Sequence, residues 1–376
     1  MCRGRGRSRH HVHRHLRSDS CAGGAVRANH AFEEIVEATV RPHVVRLSDN
    51  LYGAVFTLMK MVPARHILRN AMQRGELGPE TLIVETTSGT FGLALAMQAA
   101  LLGRRLVLVS DPVIDENLAR RLTDLGAEVE IVRHLAATGG YQGARLERVA
   151  EIRAREPDTF CPEQYSNPDN PRSYALVAET LSEALGQIDV LVGPVGSGGS
   201  MCGTSSFLRS VNPDMCAVGV DTHRSVLFGH EDGPRPLRGL GNSLLPPNLD
   251  HTAFDEIHWC TEGEAYASTR RLHRRHAVFQ GPTSGAAFRV AEHVAAREPE
   301  AKVVVMLPDQ GYRYQATVYN DEWLAQRGHS PNPVSTPPVE LTHPAIEPRR
   351  WSYFAWRRRT FQEVTAAAQP SVEVLR

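Results

Sequence analysis

Between residues 31 and 326, short apolar runs alternate with longer stretches in which apolar residues recur every three or four positions. The short runs predict buried strands, and the recurrence predicts amphipathic helices. The predicted strands are residues 82–85, 106–109, 129–132, 190–192, 217–220 and 303–307. The predicted helices are residues 91–102, 116–125, 173–185, 201–209, 262–276 and 286–297. Because helices of this length separate the strands, the pattern predicts an α/β fold with parallel strands and helices on both faces.

The two ends of the chain have a different pattern. Residues 1–30 alternate arginine and histidine with small residues and contain no apolar run, which predicts a disordered tail and neither a signal peptide nor a membrane span. Residues 327–376 are rich in proline and then become basic and aromatic. We expect a poorly ordered extension there, with one short helix that docks on a partner or on the protein's own body.

Length and composition narrow the class of protein. The 376 residues are enough for two domains of ordinary size. The formal net charge of zero gives no overall field that would attract nucleic acid or an anionic membrane. The six cysteines are scattered without C-x-x-C spacing, so the sequence predicts no metal site and is typical of a reduced, cytoplasmic protein.

Lysine is the rarest charged residue in this chain. Of the 42 positively charged side chains, only Lys60 and Lys302 are lysines. An amine, unlike a guanidinium, can lose its proton and form a Schiff base with a carbonyl compound. Lys302 opens an apolar run and is interpreted as an exposed strand start. Lys60 lies inside the apolar stretch 55–63, where a cation is costly to bury; a lysine that snorkels from a helix edge is the alternative.

Two polar loops follow predicted strands, at the ends where α/β sheets bind their ligands. One is a glycine-rich turn before a helix, whose backbone N–H groups and hydroxyls favour a phosphate: Gly196, Ser197, Gly198, Gly199 and Ser200. The other is a hydroxyl-rich turn that suits a carboxylate at a helix start: Thr87, Ser88, Gly89 and Thr90. Structural turns are the alternative in both cases. Together with a lysine, these loops indicate pyridoxal phosphate (PLP) as cofactor and an amino acid as small-molecule substrate.

The spacing of these motifs resembles that of a known family. Lys60 precedes Thr87-Ser88-Gly89 by the family's interval, and matching segments follow in the family's order at residues 164–168, 196–200, 239–241, 281–286 and 308–314. The sequence is similar to the fold-type II PLP enzymes, in the branch of the cysteine synthases and N-(2-amino-2-carboxyethyl)-L-glutamate synthases. The resemblance implies a tryptophan synthase β-like fold with two open, twisted, mostly parallel sheets flanked by helices.

The resemblance further implies how the chain is organised. Residues 31–74 and 166–326 are expected to form a large PLP-binding domain. Residues 75–165 are expected to form a small, mobile domain that binds the substrate and closes over it. The family also implies a homodimer.

Individual residues receive roles from the same resemblance. Lys60 is expected to hold PLP as a Schiff base and to move the substrate's α-proton. The other residues expected at the cofactor are Thr90, where the family has asparagine, Gly196, Ser197, Gly198, Gly199, Ser200 and Thr283, with Ser284 as the alternative to Thr283. The residues expected at the substrate carboxylate are Thr87, Ser88, Gly89 and Gln164. Arg145 is expected to face the phosphate of O-phosphoserine; a solvated arginine on a helix face is the alternative.

The implied reaction is β-replacement on an O-activated L-serine through an aminoacrylate. The leaving group is phosphate or acetate, and the nucleophile is sulfide or an amine such as that of glutamate. Residues 61–64 read Met-Val-Pro-Ala, so the Asp-Arg pair that the family has after its lysine is missing. This departure and Thr90 leave open a catalytically silent homologue that acts as a binding protein. A β-eliminase of the serine/threonine dehydratase type is the other alternative.

Overall fold

The computed structural model describes residues 31–87, 89–237, 239–330 and 336–366. The compact body begins at Glu34. The tail expected at residues 1–30, the candidate site residue Ser88 and the last ten residues lie outside the described residues.

Strands and helices alternate through most of the body. The strands are β1 (His43–Arg46), β2 (Leu51–Val55), β3 (Leu82–Thr86), β4 (Leu106–Ser110), β5 (Glu128–Ile131), β6 (Thr159–Phe160), β7 (Val190–Pro194), β8 (Cys216–Thr222), β9 (Glu256–Cys260), β10 (Val303–Leu307), β11 (Val339–Glu340) and β12 (Ser352–Ala355). The helices are α1 (Ile35–Thr39), α2 (Met61–Gln73), α3 (Thr90–Leu102), α4 (Glu116–Asp124), α5 (Gly140–Arg155), α6 (Asp169–Ser173), α7 (Ala175–Leu185), α8 (Gly199–Arg209), α9 (Glu262–His276), α10 (Pro282–Arg297), α11 (Asp321–Gln326) and α12 (Phe361–Thr365).

The larger sheet has eight strands in the described part of the chain, in the order β1-β2-β10-β7-β8-β9-β12-β11. Neighbours from β2 to β9 pair in parallel, and antiparallel pairs occur at β1–β2 and β9–β12. Because β2, β10, β7 and β8 run in the same direction, the loops that follow them leave from the same edge of the sheet. That edge is where open α/β sheets bind ligands.

The smaller sheet, within the described residues, has four strands in the order β5-β4-β3-β6, and all its pairs are parallel. Its strands come from residues 82–160, between α2 and α6. Together the two sheets confirm the predicted fold class of mostly parallel sheets flanked by helices.

The apolar runs seen in the sequence form the centres of both sheets. Every residue of β3, β4, β7 and β10 is buried. Strands covered by helices on both faces need apolar side chains on both faces, which explains runs such as Val303-Val304-Val305-Met306-Leu307. Helix α10 packs against β10 and β7 and, through a long face, against α9.

The structure contains strands that were not predicted, both half-exposed ones and the largely buried β9. Strands β1 and β2 were not predicted, because β1 is partly exposed throughout and β2 is interrupted by Gly53. The helix predicted at residues 173–185 is divided into α6 and α7. Helix α10 begins at Pro282 rather than at residue 286, since proline is favoured in the first turn of a helix.

The expectation of poor order was wrong for residues 336–366 of the extension. Strand β12 pairs antiparallel with β9, with Ser352 opposite Trp259, and β11 adds to β12. The aromatic residues of the basic segment explain the order, because the side chains of Trp351 and Trp356 are fully buried. The Trp351 indole N–H donates to His258 Nδ1 at 3.1 Å. The segment therefore covers the β9 edge of the larger sheet, an edge that would otherwise expose unpaired backbone groups.

The buried indole of Trp351 predicts a measurable contribution to stability. Replacing Trp351 by alanine should lower the free energy of unfolding by about 3–5 kcal/mol. The change leaves a cavity next to His258 and removes the ring that lies 4.2 Å from the guanidinium of Arg289. Chemical denaturation is the measurement. Val211→Ala, at a side chain 76% exposed, is the control and should change little. Equal, small effects of the two substitutions would contradict the docking of this segment.

Candidate active site

A cavity of about 350 Å³ lies where loops from the two sheets meet. Most of the residues selected from the sequence line it: Lys60, Thr87, Gly89, Thr90, Arg145, Gln164, Gly196, Ser197, Ser200 and Thr283. Gly198 and Gly199 belong to the same loop as Gly196 and lie behind the lining. Segments that are more than 200 residues apart in the sequence therefore converge on one site.

Lys60 lies at the turn between β2 and α2, and it is half-buried. Its loop is fixed to the end of β10, because the N–H groups of Phe56 and Met59 donate to the carbonyls of Leu307 and Pro308 at 3.0 and 2.7 Å. The amine lies 3.4 Å from the hydroxyl of Ser197. Burial lowers the pKa of Lys60 to about 8, so a substantial fraction of the amine is neutral near physiological pH.

Lys302 lies at the other end of β10. About 20 Å of extended strand separates it from Pro308, which lines the cavity. The interpretation of Lys302 as an exposed strand start was wrong, because the side chain is half-buried and its amine donates to the carbonyl of Leu185. Of the two lysines, Lys60 is the one placed for chemistry in the cavity.

The glycine-rich loop after β7 ends at the first turn of α8, whose N-terminus faces the cavity. Gly198 has a φ of +82°, and a Cβ atom there would lie 2.7 Å from Leu249 Cα. A Cβ at Gly199 would lie 2.3 Å from Asn170 Oδ1. The backbone at these two positions can approach its neighbours only because glycine has no side chain. The loop ends in backbone N–H groups at a helix N-terminus, and such an arrangement favours the binding of a phosphate.

The loop after β3 is shaped by Thr87. The Thr87 hydroxyl accepts hydrogen bonds from the N–H groups of Gly89 and Gly92, at 3.1 and 3.0 Å, and donates to the Gly89 carbonyl. These bonds occupy the hydroxyl inside the turn that starts α3. Among the described residues of this loop, the groups left for a bound carboxylate are the remaining N–H groups at the start of α3 and the hydroxyl of Thr90, which lines the cavity.

Glu85 connects this loop to the segment that carries Gln164. One Glu85 oxygen accepts from the N–H of Thr86 at 2.7 Å and the other from the N–H of Gln164 at 3.2 Å. The Gln164 carbonyl in turn accepts from the side chains of Asn170 and Asn248. Burial raises the pKa of Glu85 to about 7. These bonds fix the backbone of Gln164, a residue that is 6% exposed and lines the cavity together with Gly89 and Thr90.

The wall opposite the start of α3 includes the first turn of α10. Thr283 lines the cavity, and its hydroxyl lies 3.6 Å from the position of a Cβ on Gly239, another lining residue. The neighbouring Ser284 is fully buried and donates to Gln280 Oε1 at 3.4 Å. Of the two hydroxyls proposed from the sequence, that of Thr283 is therefore the one near the cavity.

Arg145 extends from α5 into the cavity and is 5% exposed. The alternative of a solvated arginine was wrong for this residue, although it describes Arg148, which pairs with Glu130 and Glu151 at 2.7 and 2.8 Å. Asp111 lies 3.4 Å from Arg145 Nη1. Two nitrogens of Arg145, Nε and Nη1, are buried without a hydrogen-bond partner in the described structure.

Several lining residues received no role from the sequence, although four of them lie in the matching segments 164–168 and 308–314: Asp111, Gln142, Tyr165, Arg235, Ser243, Asp309, Arg313 and Tyr314. Asp111 could have been found, because it follows β4 directly and polar residues at strand ends are candidates for binding. Arg235 gave no such signal, since it lies in an irregular segment among several arginines. Tyr314 donates to Asp309 at 2.9 Å, and both residues line the cavity.

Neither a membrane-spanning helix nor a metal-binding cluster occurs among the described residues. No helix there is long and apolar enough to cross a membrane. Within the same residues, no group of three or more histidine, cysteine, aspartate or glutamate side chains could hold a metal ion.

Comparison with known proteins gives the class to which this fold and site belong. The model of the pyridoxal-phosphate dependent enzyme family matches residues 59–309, about two thirds of the chain. The N-(2-amino-2-carboxyethyl)-L-glutamate synthase of Ralstonia nicotianae is 33% identical over 328 residues, which cover 84% of this chain and 97% of that protein. The synthase of the same name from Cupriavidus metallidurans is 36% identical over 292 residues, 75% of this chain and 86% of that protein.

A solved structure of a related enzyme has a similar fold. The O-acetylserine dependent cystathionine β-synthase from Helicobacter pylori has a TM-score of 0.71 with 25% identity, covering 77% of this chain and 100% of that one. The chain belongs to the family of pyridoxal-phosphate dependent enzymes. Its general reaction is a β-substitution on an amino acid, and the hypothesis of a catalytically silent homologue is not supported.

The residues of the cavity fit PLP. Lys60 would provide a partly neutral amine for the aldehyde, the start of α8 would provide N–H groups for the phosphate, and Thr283 would provide an uncharged hydroxyl. The fit needs no metal ion and no additional cation at the phosphate, since the helix N-terminus carries partial positive charge.

The tight approach at Gly198 predicts a loss of cofactor binding on substitution. Gly198→Ala should lower PLP occupancy, because the added Cβ clashes with Leu249 and Asn248 and displaces the loop. Gly186→Ala is the matched control: Gly186 has a similar positive φ of +68° but nothing within 4 Å of the added Cβ, so it reports the backbone strain alone. Occupancy is read from the absorbance of the bound cofactor. Equal occupancy in the two variants would contradict the assignment of this loop.

Proposed function

We propose that this enzyme performs β-replacement with O-phospho-L-serine as the amino-acid donor and the amine of an acidic amino acid, glutamate above all, as the nucleophile. The product would be a 2,3-diaminopropionate-type amino acid. The observation that carries the choice of donor is Arg145, a buried guanidinium in the cavity with two nitrogens lacking a hydrogen-bond partner. The names of the two synthases above support the choice of nucleophile.

Lys60 is proposed as the catalytic base. When bound, PLP supplies an electron sink for the bonds at the substrate's α-carbon. Lys60 Nζ is suited to remove the α-proton, because burial lowers its pKa to about 8 and a base must be deprotonated to act. Ser197 Oγ, 3.4 Å from Nζ, is placed to orient the amine.

The substrate's α-carboxylate is proposed to bind at the start of α3 and at Gln164. Both groups are fixed before the substrate arrives, since Thr87 holds the turn and Glu85 holds the backbone of Gln164. Such preorganisation lowers the entropic cost of binding and aligns the α-carbon for proton transfer. Because Ser88 lies outside the described residues, its part in this site stays a prediction from the sequence.

Arg145 is proposed to bind the leaving phosphate. A guanidinium donates charge-assisted hydrogen bonds to phosphate, and Arg145 lines the cavity with its Nε and Nη1 groups lacking hydrogen-bond partners. An acetyl ester is neutral and offers those donors one carbonyl oxygen, so it would gain no charge-assisted hydrogen bond. This difference favours O-phosphoserine over O-acetylserine.

Two further arginines of the cavity support an acidic nucleophile. Arg235 and Arg313 line the cavity, and Arg235 is held in place by Asp232 at 2.8 Å. Glutamate brings two carboxylates with its amine, and sulfide brings none that these side chains could bind. Cationic walls therefore favour the amino acid over sulfide.

Movement and assembly remain proposals as well. We propose that residues 75–165, which contain the smaller sheet, close over the bound substrate and exclude water. The homodimer and the cytoplasmic location stay predictions.

The experiment compares donors and nucleophiles with the PLP-loaded enzyme. O-phospho-L-serine and O-acetyl-L-serine are each offered with L-glutamate or sulfide, and the products are identified by mass spectrometry together with released phosphate. We expect O-phosphoserine and glutamate to give the coupled amino acid with one phosphate per product. Pyruvate as the main product would support a β-eliminase instead, and preference for O-acetylserine would overturn the proposed donor.

Arg145→Ala tests the donor assignment at one residue. The substitution should lower kcat/KM for O-phosphoserine about 10- to 100-fold, the worth of a charge-assisted hydrogen bond, and change activity with O-acetylserine much less. Arg148→Ala, three residues away on the same helix, is the matched control, because it removes an arginine that pairs with Glu130 and Glu151 outside the cavity. Equal losses on both donors would show that Arg145 is structural.

A further inference from the structure

Arg145 already has a carboxylate beside it. Asp111 Oδ2 lies 3.4 Å from Arg145 Nη1, and both side chains are only 6% exposed. Asp111 follows β4 and Arg145 lies on α5, so two different elements bring the pair together. Both residues line the cavity.

The position of Asp111 is fixed by the backbone. Its Oδ1 accepts a hydrogen bond from the N–H of Val113 at 3.0 Å, which is the bond of a turn after the strand. Its other oxygen points towards Arg145, yet the contact does not reach hydrogen-bond geometry, and Arg145 Nε and Nη1 lack partners. The pair is therefore balanced in charge but incomplete in hydrogen bonds.

The net charge of the Asp111–Arg145 pair determines how strongly it binds an anion. A buried guanidinium without a counter-ion would bind any anion strongly, because its desolvation is otherwise uncompensated. With Asp111 beside it, an arriving phosphate gains the hydrogen bonds of Arg145 but is repelled by a carboxylate at close range. Asp309, the other carboxylate in the described lining, accepts from Tyr314 instead.

We propose that Asp111 is a specificity-determining residue that weakens the binding of phosphate to Arg145. This inference rests on the proposed function and goes beyond it. In the free enzyme Asp111 compensates the charge of Arg145. In the reaction it keeps the released phosphate from being retained beside Arg145, so that the product can leave and the nucleophile can reach the β-carbon.

The test measures the affinity of the PLP-loaded enzyme for inorganic phosphate by isothermal titration, with the cofactor already occupying its own phosphate site. Asp111→Asn should tighten phosphate binding by about tenfold, a change of ~1.4 kcal/mol, because it removes the repulsion and leaves Arg145 unpaired. The KM for O-phosphoserine should fall with it. Asp124→Asn, which removes the same charge from an exposed position on α4, is the control and should leave the affinity unchanged.

Unchanged or weaker phosphate binding in Asp111→Asn would overturn the proposal and would make Asp111 a residue that merely positions Arg145. If this variant does not fold, Asp111→Ser replaces it, because a serine hydroxyl can still accept from the N–H of Val113. The double variant Asp111→Asn/Arg145→Gln should bind phosphate more weakly than Asp111→Asn alone. Failure of the proposed function is distinguishable, since the parent enzyme would then not turn over O-phosphoserine, whatever Asp111 does to phosphate binding.

Discussion

The site depends on the parallel pairing of β2, β10 and β7. This pairing brings the carboxyl ends of the three strands to one edge, so that the Lys60 loop, Pro308 and the glycine-rich turn meet there. The hydrogen bonds from Phe56 and Met59 to the end of β10 then fix the Lys60 loop to its neighbour. Lys60 and the glycine-rich loop at residue 196 meet only because of this register, in which β10, near the end of the sequence, lies between β2 and β7.

Neutral groups line the part of the cavity that we propose for the cofactor and the substrate's carboxylate. Charged side chains line the part that we propose for the group that distinguishes one substrate from another. Burial shifts Lys60 and Glu85 in opposite directions, to pKa values of about 8 and about 7, and both shifts favour the uncharged form. The phosphate loop and the start of α3 offer backbone N–H groups rather than charged side chains. Fixed charge is instead found at Arg145 and Asp111, where we propose that the leaving group binds. We therefore expect the choice of substrate to depend on the opposite charges of Arg145 and Asp111, and the binding of the cofactor to depend on backbone geometry.

The central strands, the glycine-rich turn and Lys60 could be predicted from local signals in the sequence, whereas Gln164, Thr283 and Arg145 were selected through the resemblance to a known family. The buried strands appear as apolar runs, the glycine-rich turn has a fixed composition, and the scarcity of lysine singles out Lys60. What was missed depends on contacts between distant segments. Strand β12 pairs with β9 through aromatic residues of a segment that has a high proline and arginine content nearby, and that composition predicted disorder. The pairing of Asp111 with Arg145 and the internal use of the Thr87 hydroxyl have no signature along the chain, since both follow from how loops meet.

The central claim is that Lys60, out of two lysines in the chain, carries the cofactor. The most direct measurement is reduction of the PLP-loaded enzyme with borohydride, followed by digestion and peptide mass spectrometry. The position of Lys60 in the cavity predicts the phosphopyridoxyl mass on the peptide that contains Lys60, and none on the peptide that contains Lys302, whose amine is bonded to the Leu185 carbonyl at the far end of β10. The mass on Lys302, or a Lys60→Ala variant that is labelled as fully as the parent, would contradict the account.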